Sequence, residues 1–145
     1  MWRISFSTLL LMMLGLSCQK AYISQTELKE RLEEHDLLVQ SVEQLTEVQV
    51  HDIFSPPVAS RVYVYPCIAA YEAMQPAYEE YETFAGRLQE LQPLNIEADT
   101  SKVSHELAAI YAFNTVGKSL IFSEGMVEEW QATIDSTVSS WNTSP

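Results

Sequence analysis

The sequence predicts an all-α fold, a bundle of about four to six helices. Three observations carry that reading. Apolar residues recur at three- and four-residue intervals, the spacing of a single helix face. Ser55-Pro56-Pro57 and Gln75-Pro76 cut the chain into helix-length pieces, because the residue before a proline is pushed out of the helical region. Residues 62–65 alone could form a strand, and the Ala-rich sequel and the length of their segment favour a helix.

Residues 1–17 come first. Arg3 supplies a positive start, an apolar run with LLLMML at its centre follows, and Gly15, Leu16 and Ser17 lead to Cys18. This is the order of regions in a secretory signal, and the run is too short for a transmembrane span. Residues 18–25 read as a tether. A helix is expected from Ser24 or Thr26, with Thr26 as cap and Glu27 and Glu30 favoured by the helix dipole. Leu28, Leu32, Leu38, Val42 and Leu45 form its apolar stripe, with His35 and Val39 beside it. One long helix to about Phe54, or two with a bend at His35-Asp36, both fit the pattern.

After the Pro-Pro break, with Pro57 in the first helical turn, residues 58–74 form the next helix, with a possible kink at Pro66. Residues 78–91 make a short amphipathic segment, with Tyr81, Phe84, Leu88 and Leu91 on one face. Residues 93–101 are a loop. Residues 105–121 make an apolar helix. Residues 126–141 make the last, with Val127, Trp130, Ile134 and Val138 on one face.

The 145-residue chain suffices for one domain with a modest core. Its net charge of −12 repels phosphates, so nucleic acid is not an expected partner. The acids read as solvated helix faces.

Candidate chemistry is sparse. His51 and Asp52 are adjacent on a helix, point about 100° apart and should not form a dyad. Asp52 is expected to pair with Arg61 across the Pro-Pro corner, a structural Arg–carboxylate fork. His35 and His105 lack a second ligand at metal-binding spacing, so no metal site is expected. Glu79, Glu80 and Glu82 read as a solvated helix start. Ser139, Ser140 and Ser144 have no nucleophile-elbow setting. Four glycines form no phosphate-cradling loop. Cys67, among Tyr65, Pro66, Ile68 and Ala69, is expected to be a buried structural thiol.

Two resemblances add to this. Cys18 after small residues is similar to the lipobox of bacterial lipoproteins, where the signal is cut before the cysteine and the thiol is acylated. Gly15 departs from the usual leucine. This implies a lipid-anchored protein of the bacterial cell envelope, at the outer membrane or on the periplasmic face, with Gln19 favouring the outer membrane. If the signal is cut there, Cys67 has no partner for a disulfide.

The second lies in LTEVQVHDIFSPPVASRVYVYPCIAAYEAM. It resembles the N-terminal helical region of lipid-anchored bacterial proteins in the vanadium-dependent haloperoxidase branch of the phosphatidic acid phosphatase type 2 superfamily. His51, Asp52, Ser55, Pro56, Pro57, Ser60, Arg61, Tyr71 and Glu72 carry it. Ala112-Phe113, Thr115-Val116-Gly117-Lys118 and Phe122-Ser123-Glu124 look like a second block. The resemblance spans residues 45–129.

It implies a helical bundle whose anion site holds vanadate or phosphate. That site is built from a Lys-x6-Arg-Pro block, a Pro-Ser-Gly-His block and a Ser-Arg-x5-His-x3-Asp block. The first two are absent from this sequence. Ser60-Arg61 starts the third, but Cys67 stands at the histidine position, Tyr71 at the acid position, and Glu72 is one residue late. No catalytic residue and no cofactor are therefore assigned to this chain, and alone it is expected to be inactive.

The resemblance implies that residues 26–145 are the N-terminal, incomplete part of a larger α-helical domain, whose partner is a missing C-terminal catalytic region or another protein. Its apolar helix over residues 105–121 would then lack partners, with instability or association expected. An independent helical lipoprotein that binds or scaffolds is the alternative. A small hydrolase using His51, Asp52 and Arg61 is a third reading.

Overall fold

The computed structural model describes residues 23–78, 80–93 and 103–141. The expectations for the leader, for Cys18 and for most of the loop over residues 93–101 lie outside the described residues.

Among the described residues five α-helices follow one another: α1 (Gln25–Glu34), α2 (Leu37–His51), α3 (Pro56–Met74), α4 (His105–Lys118) and α5 (Glu124–Trp141). A 3₁₀ turn, Gln75–Ala77, ends α3. The all-α fold expected from the periodicity is the one observed.

Local chemistry sets the boundaries. Ser24, rather than Thr26, caps α1: its Oγ accepts the Glu27 N–H at 3.2 Å. The bend at His35-Asp36 is a true break, with Asp36 in the left-handed region at φ 47°. Asp tolerates that conformation better than most residues. The break rotates the apolar stripe, so Leu37 and Val48 are buried while Val39 faces solvent. Pro56 and Pro57 open α3, where a missing N–H costs nothing. Pro66 lies inside α3, and its ring is buried in the core. Ser104 caps α4 by accepting the Leu107 N–H at 3.2 Å.

The expected amphipathic segment over residues 78–91 is not a helix. Its described residues form turns with an isolated bridge between Ala85 and Leu88, and Tyr81, Phe84 and Leu88 are exposed. Side chains of α3 hold it instead. Tyr71 Oη donates to Glu82 O at 2.9 Å, and Gln75 Nε2 donates to Tyr81 O at 2.8 Å. The Tyr71 and Phe84 rings pack with centroids 4.7 Å apart.

Two apolar clusters form the core. Leu45, Val48, Val62, Ala70, Ala109, Phe113, Ile121 and Val127 join α2, α3, α4 and α5. Leu28, Leu32, Leu37, Ile110, Ile134 and Trp141 join α1 and the start of α2 to α4 and α5. Helix α4 contributes to both through neighbouring residues, Ala109 and Ile110. Most of its apolar surface is therefore partnered, and the uncovered part lies on the side of Ala112 and Val116, which are half-buried. Exposed apolar residues are spread over several elements; on α3 they are Val58, Val64 and Tyr65, and the most exposed, Ile53 and Phe122, lie at the α2–α3 and α4–α5 turns.

Candidate functional site

Of the residues singled out by sequence, His51 and Asp52 come together where α2 ends, against the turn that leads into α5. Helix α2 closes with Phe54 N–H donating to Gln49 O at 3.1 Å, around Ile53 N–H to Val50 O at 3.2 Å. This closure places Ile53 in the left-handed region at φ 54°, the position glycine usually takes. The turn directs Asp52 toward residues 122 and 123, about 70 positions away in the chain.

There the Asp52 carboxylate is fully engaged. Oδ2 accepts the backbone N–H groups of Phe122 (2.8 Å) and Ser123 (3.1 Å). Oδ1 accepts the Ser123 hydroxyl at 2.5 Å and faces His51 Nδ1 at 3.3 Å. The Asp52 side chain is 3% accessible, that of His51 64%. Removal from water pushes the Asp52 carboxyl up, but the bonds from Ser123, Phe122 and His51 outweigh it. The net effect is a fall to about 2 from 3.8. The carboxylate thus sits just ahead of the α5 N-terminus, where negative charge is favoured. The Phe54 and Phe122 rings meet edge to face across the same junction, with centroids 5.3 Å apart.

Two expectations are corrected here. The Asp52–Arg61 pair is not formed: Arg61 is exposed, and Asp52 has turned away from α3 to the backbone of the α4–α5 turn. His51 and Asp52 do approach, because Asp52 stands at the helix end and is drawn to the same Ser123 as His51. Ser123 Oγ lies 3.1 Å from His51 Nδ1.

Serine, histidine and aspartate in one cluster invite comparison with a hydrolytic triad. A triad uses the two ring nitrogens for different partners. Here serine and aspartate both face Nδ1, and Ser123 donates directly to Asp52. Hydroxyl, imidazole and carboxylate do not form a relay. The geometry is that of a carboxylate cap locking the α4–α5 turn to the end of α2. Ser123 escaped the sequence reading as a partner, although the turn at Ser123-Glu124 was visible.

The remaining motif residues are distributed along α3. Ser55 precedes the helix, Pro56 and Pro57 form its first turn, and Ser60 Oγ donates back to Pro57 O at 3.0 Å. Tyr71 and Glu72 hold the following loop. Buried Glu72 accepts Thr83 Oγ1 at 2.5 Å and the Phe84 N–H at 2.7 Å. Cys67 is exposed rather than buried. It follows Pro66 by one residue, so it lies about 100° around the helix from the core-facing ring.

A vanadate or phosphate site needs converging cations, and the described residues do not supply them. Lys29 pairs with Glu106, Arg31 with Glu27, Arg87 with Glu82 and Lys118 with Glu128. The four cations are divided among α1, the loop before α4, and the end of α4. Among the described residues no group of three or more His, Cys, Asp and Glu could hold a metal ion. None of the described helices is long and apolar enough to cross a membrane. Among the described residues no set of cations converges on an oxyanion site.

Fold and junctions define an all-α bundle whose two buried carboxylates, Asp52 and Glu72, bind backbone N–H groups. No family model matches the chain, and no curated protein matches it. Among solved structures it is similar to a bacterial vanadium-dependent iodoperoxidase, with 40% identity and a TM-score of 0.69 over 74% of this chain. The chain spans 26% of that protein. Over the matched residues it is vanadium-haloperoxidase-like in sequence and fold.

Proposed function

We propose that this chain is the non-catalytic, N-terminal helical portion of a bacterial envelope lipoprotein of the vanadium haloperoxidase or acid-phosphatase-like type. The observation that carries the reading is the asymmetry of the match: 74% of this chain against 26% of the iodoperoxidase. The absence of Lys-x6-Arg-Pro and Pro-Ser-Gly-His from the sequence supports it. So does the pairing of the described lysines, and of Arg31 and Arg87, with carboxylates.

In this reading the bundle is a structural partner for a catalytic region that binds vanadate or phosphate. Acylation of Cys18 would hold it at a lipid surface without a spanning helix. Labelling with a radioactive or alkyne-tagged fatty acid tests the anchor. Incorporation is expected in the wild type and lost in Cys18→Ser; equal labelling of both would refute it.

The reading frame after the Pro145 codon tests the larger claim. An open frame reaching the two missing blocks is expected. A stop codon there would favour the alternative, an independent helical lipoprotein that binds or scaffolds.

A further inference from the structure

We infer that the groove between α3, α4 and residues 88–91 is the docking surface for the catalytic remainder. That remainder is the larger part of the iodoperoxidase, which has no counterpart in this chain; the inference rests on the function proposed above. The groove encloses about 850 Å³. Its apolar wall includes Ile68, Ala69, Leu88, Leu91, Ala112 and Val116.

Small residues at four-residue spacing, Ala69 and Ala73 on α3, let a third helix lie close against the α3–α4 pair. Glu72 also borders the groove, but its carboxylate already accepts Thr83 and the Phe84 N–H. The groove therefore favours an apolar surface over a polar ligand. Val64 and Tyr65 extend its rim and are half exposed.

The occupant follows from length and charge. The iodoperoxidase continues well beyond the matched region, since the match takes up 26% of it. A second copy of this chain would bring together two molecules of net charge −12, which is unfavourable at moderate ionic strength.

The test replaces the matched segment of the intact iodoperoxidase with the corresponding residues of this chain. Val64→Lys and Ala69→Glu are then compared in this chimera and in the full 145-residue chain. Val39→Lys, at an exposed position of α2, is the surface control. In the free chain Val64→Lys, at an exposed position, should shift the melting temperature by less than about 2 °C, and Ala69→Glu, at a half-buried position on the open groove, by about 2 °C. In an active chimera they should lower it by about 5 °C or more, because a charge would be buried without a partner. Val39→Lys should change neither.

If the chimera is active and the groove variants behave like Val39→Lys, the docking site is wrong and the proposed function stands. If the chimera neither folds nor oxidises iodide, the functional reading fails, and the docking site with it. If the free chain sediments as a dimer that the groove variants dissociate, a second copy is the occupant and the inference is overturned.

Discussion

Asp52 shows how one side chain can join distant parts of a chain. Its carboxylate binds two backbone N–H groups and a hydroxyl about 70 residues away. Asp52→Asn keeps the shape and loses the charge, and should cost about 1–3 kcal/mol in urea unfolding. The pH dependence has a definite sign. The folded carboxyl lies at about 2, below its ordinary 3.8. Its stabilising contribution is therefore full above about 3.8 and lost as pH falls toward 2. The Asp52→Asn variant should lack that part of the acid limb, and an unchanged limb would show that the carboxylate is not the cause. Ile53 beside it is a β-branched residue in the left-handed region, 88% exposed. Ile53→Gly should stabilise the free chain by about 1 kcal/mol; a loss of stability would contradict the strain. Sequence proximity suggested Arg61 as the Asp52 partner. The actual partner, Ser123, becomes a neighbour only through the packing of α5 on α2, which no local pattern records.

At the scale of elements, the helices were legible because their breaks are chemical: Ser24, Asp36, the Pro pair and Ser104 each act through the backbone. Residues 78–91 were misread because spacing alone cannot separate an amphipathic helix from a loop pinned from outside. Glu72→Ala should release that loop. Faster hydrogen exchange at the Phe84 amide would show it, with the α4 amides little changed; unchanged exchange at Phe84 would rule out the anchor. Helix α4 was expected to show unpartnered apolar faces because the chain reads as part of a larger helical domain, yet a helix of nearly continuous apolar character is also what a bundle centre requires. Phe113, 1% exposed, is its largest contribution. Phe113→Ala should cost about 3–5 kcal/mol, and a loss under 1 kcal/mol would deny α4 its central place. Tyr111 ties α4 to α5 by donating to Asp135. Burial, then the neighbouring carboxylate, raises its hydroxyl to about 12. That contribution is present below about 10 and lost as pH rises through about 12.

For the whole molecule, the all-α class and the haloperoxidase-like relationship were both legible, the first from periodicity and the second from SPPVASR and its surroundings. The side of the bundle that stays uncovered was not legible, because α3 distributes its apolar residues around most of its circumference. A second copy, a lipid surface or a catalytic remainder would read alike in a one-dimensional pattern. The central claim is that the chain carries a haloperoxidase-like fold without the anion chemistry. Peroxide-dependent iodide oxidation by the full chain, with vanadate added and with the iodoperoxidase run alongside, tests it most directly. The account predicts turnover indistinguishable from vanadate alone and unaffected by His51→Ala or Ser123→Ala. Turnover above that background that disappears in either variant would place an active site at the Asp52 junction and contradict the account.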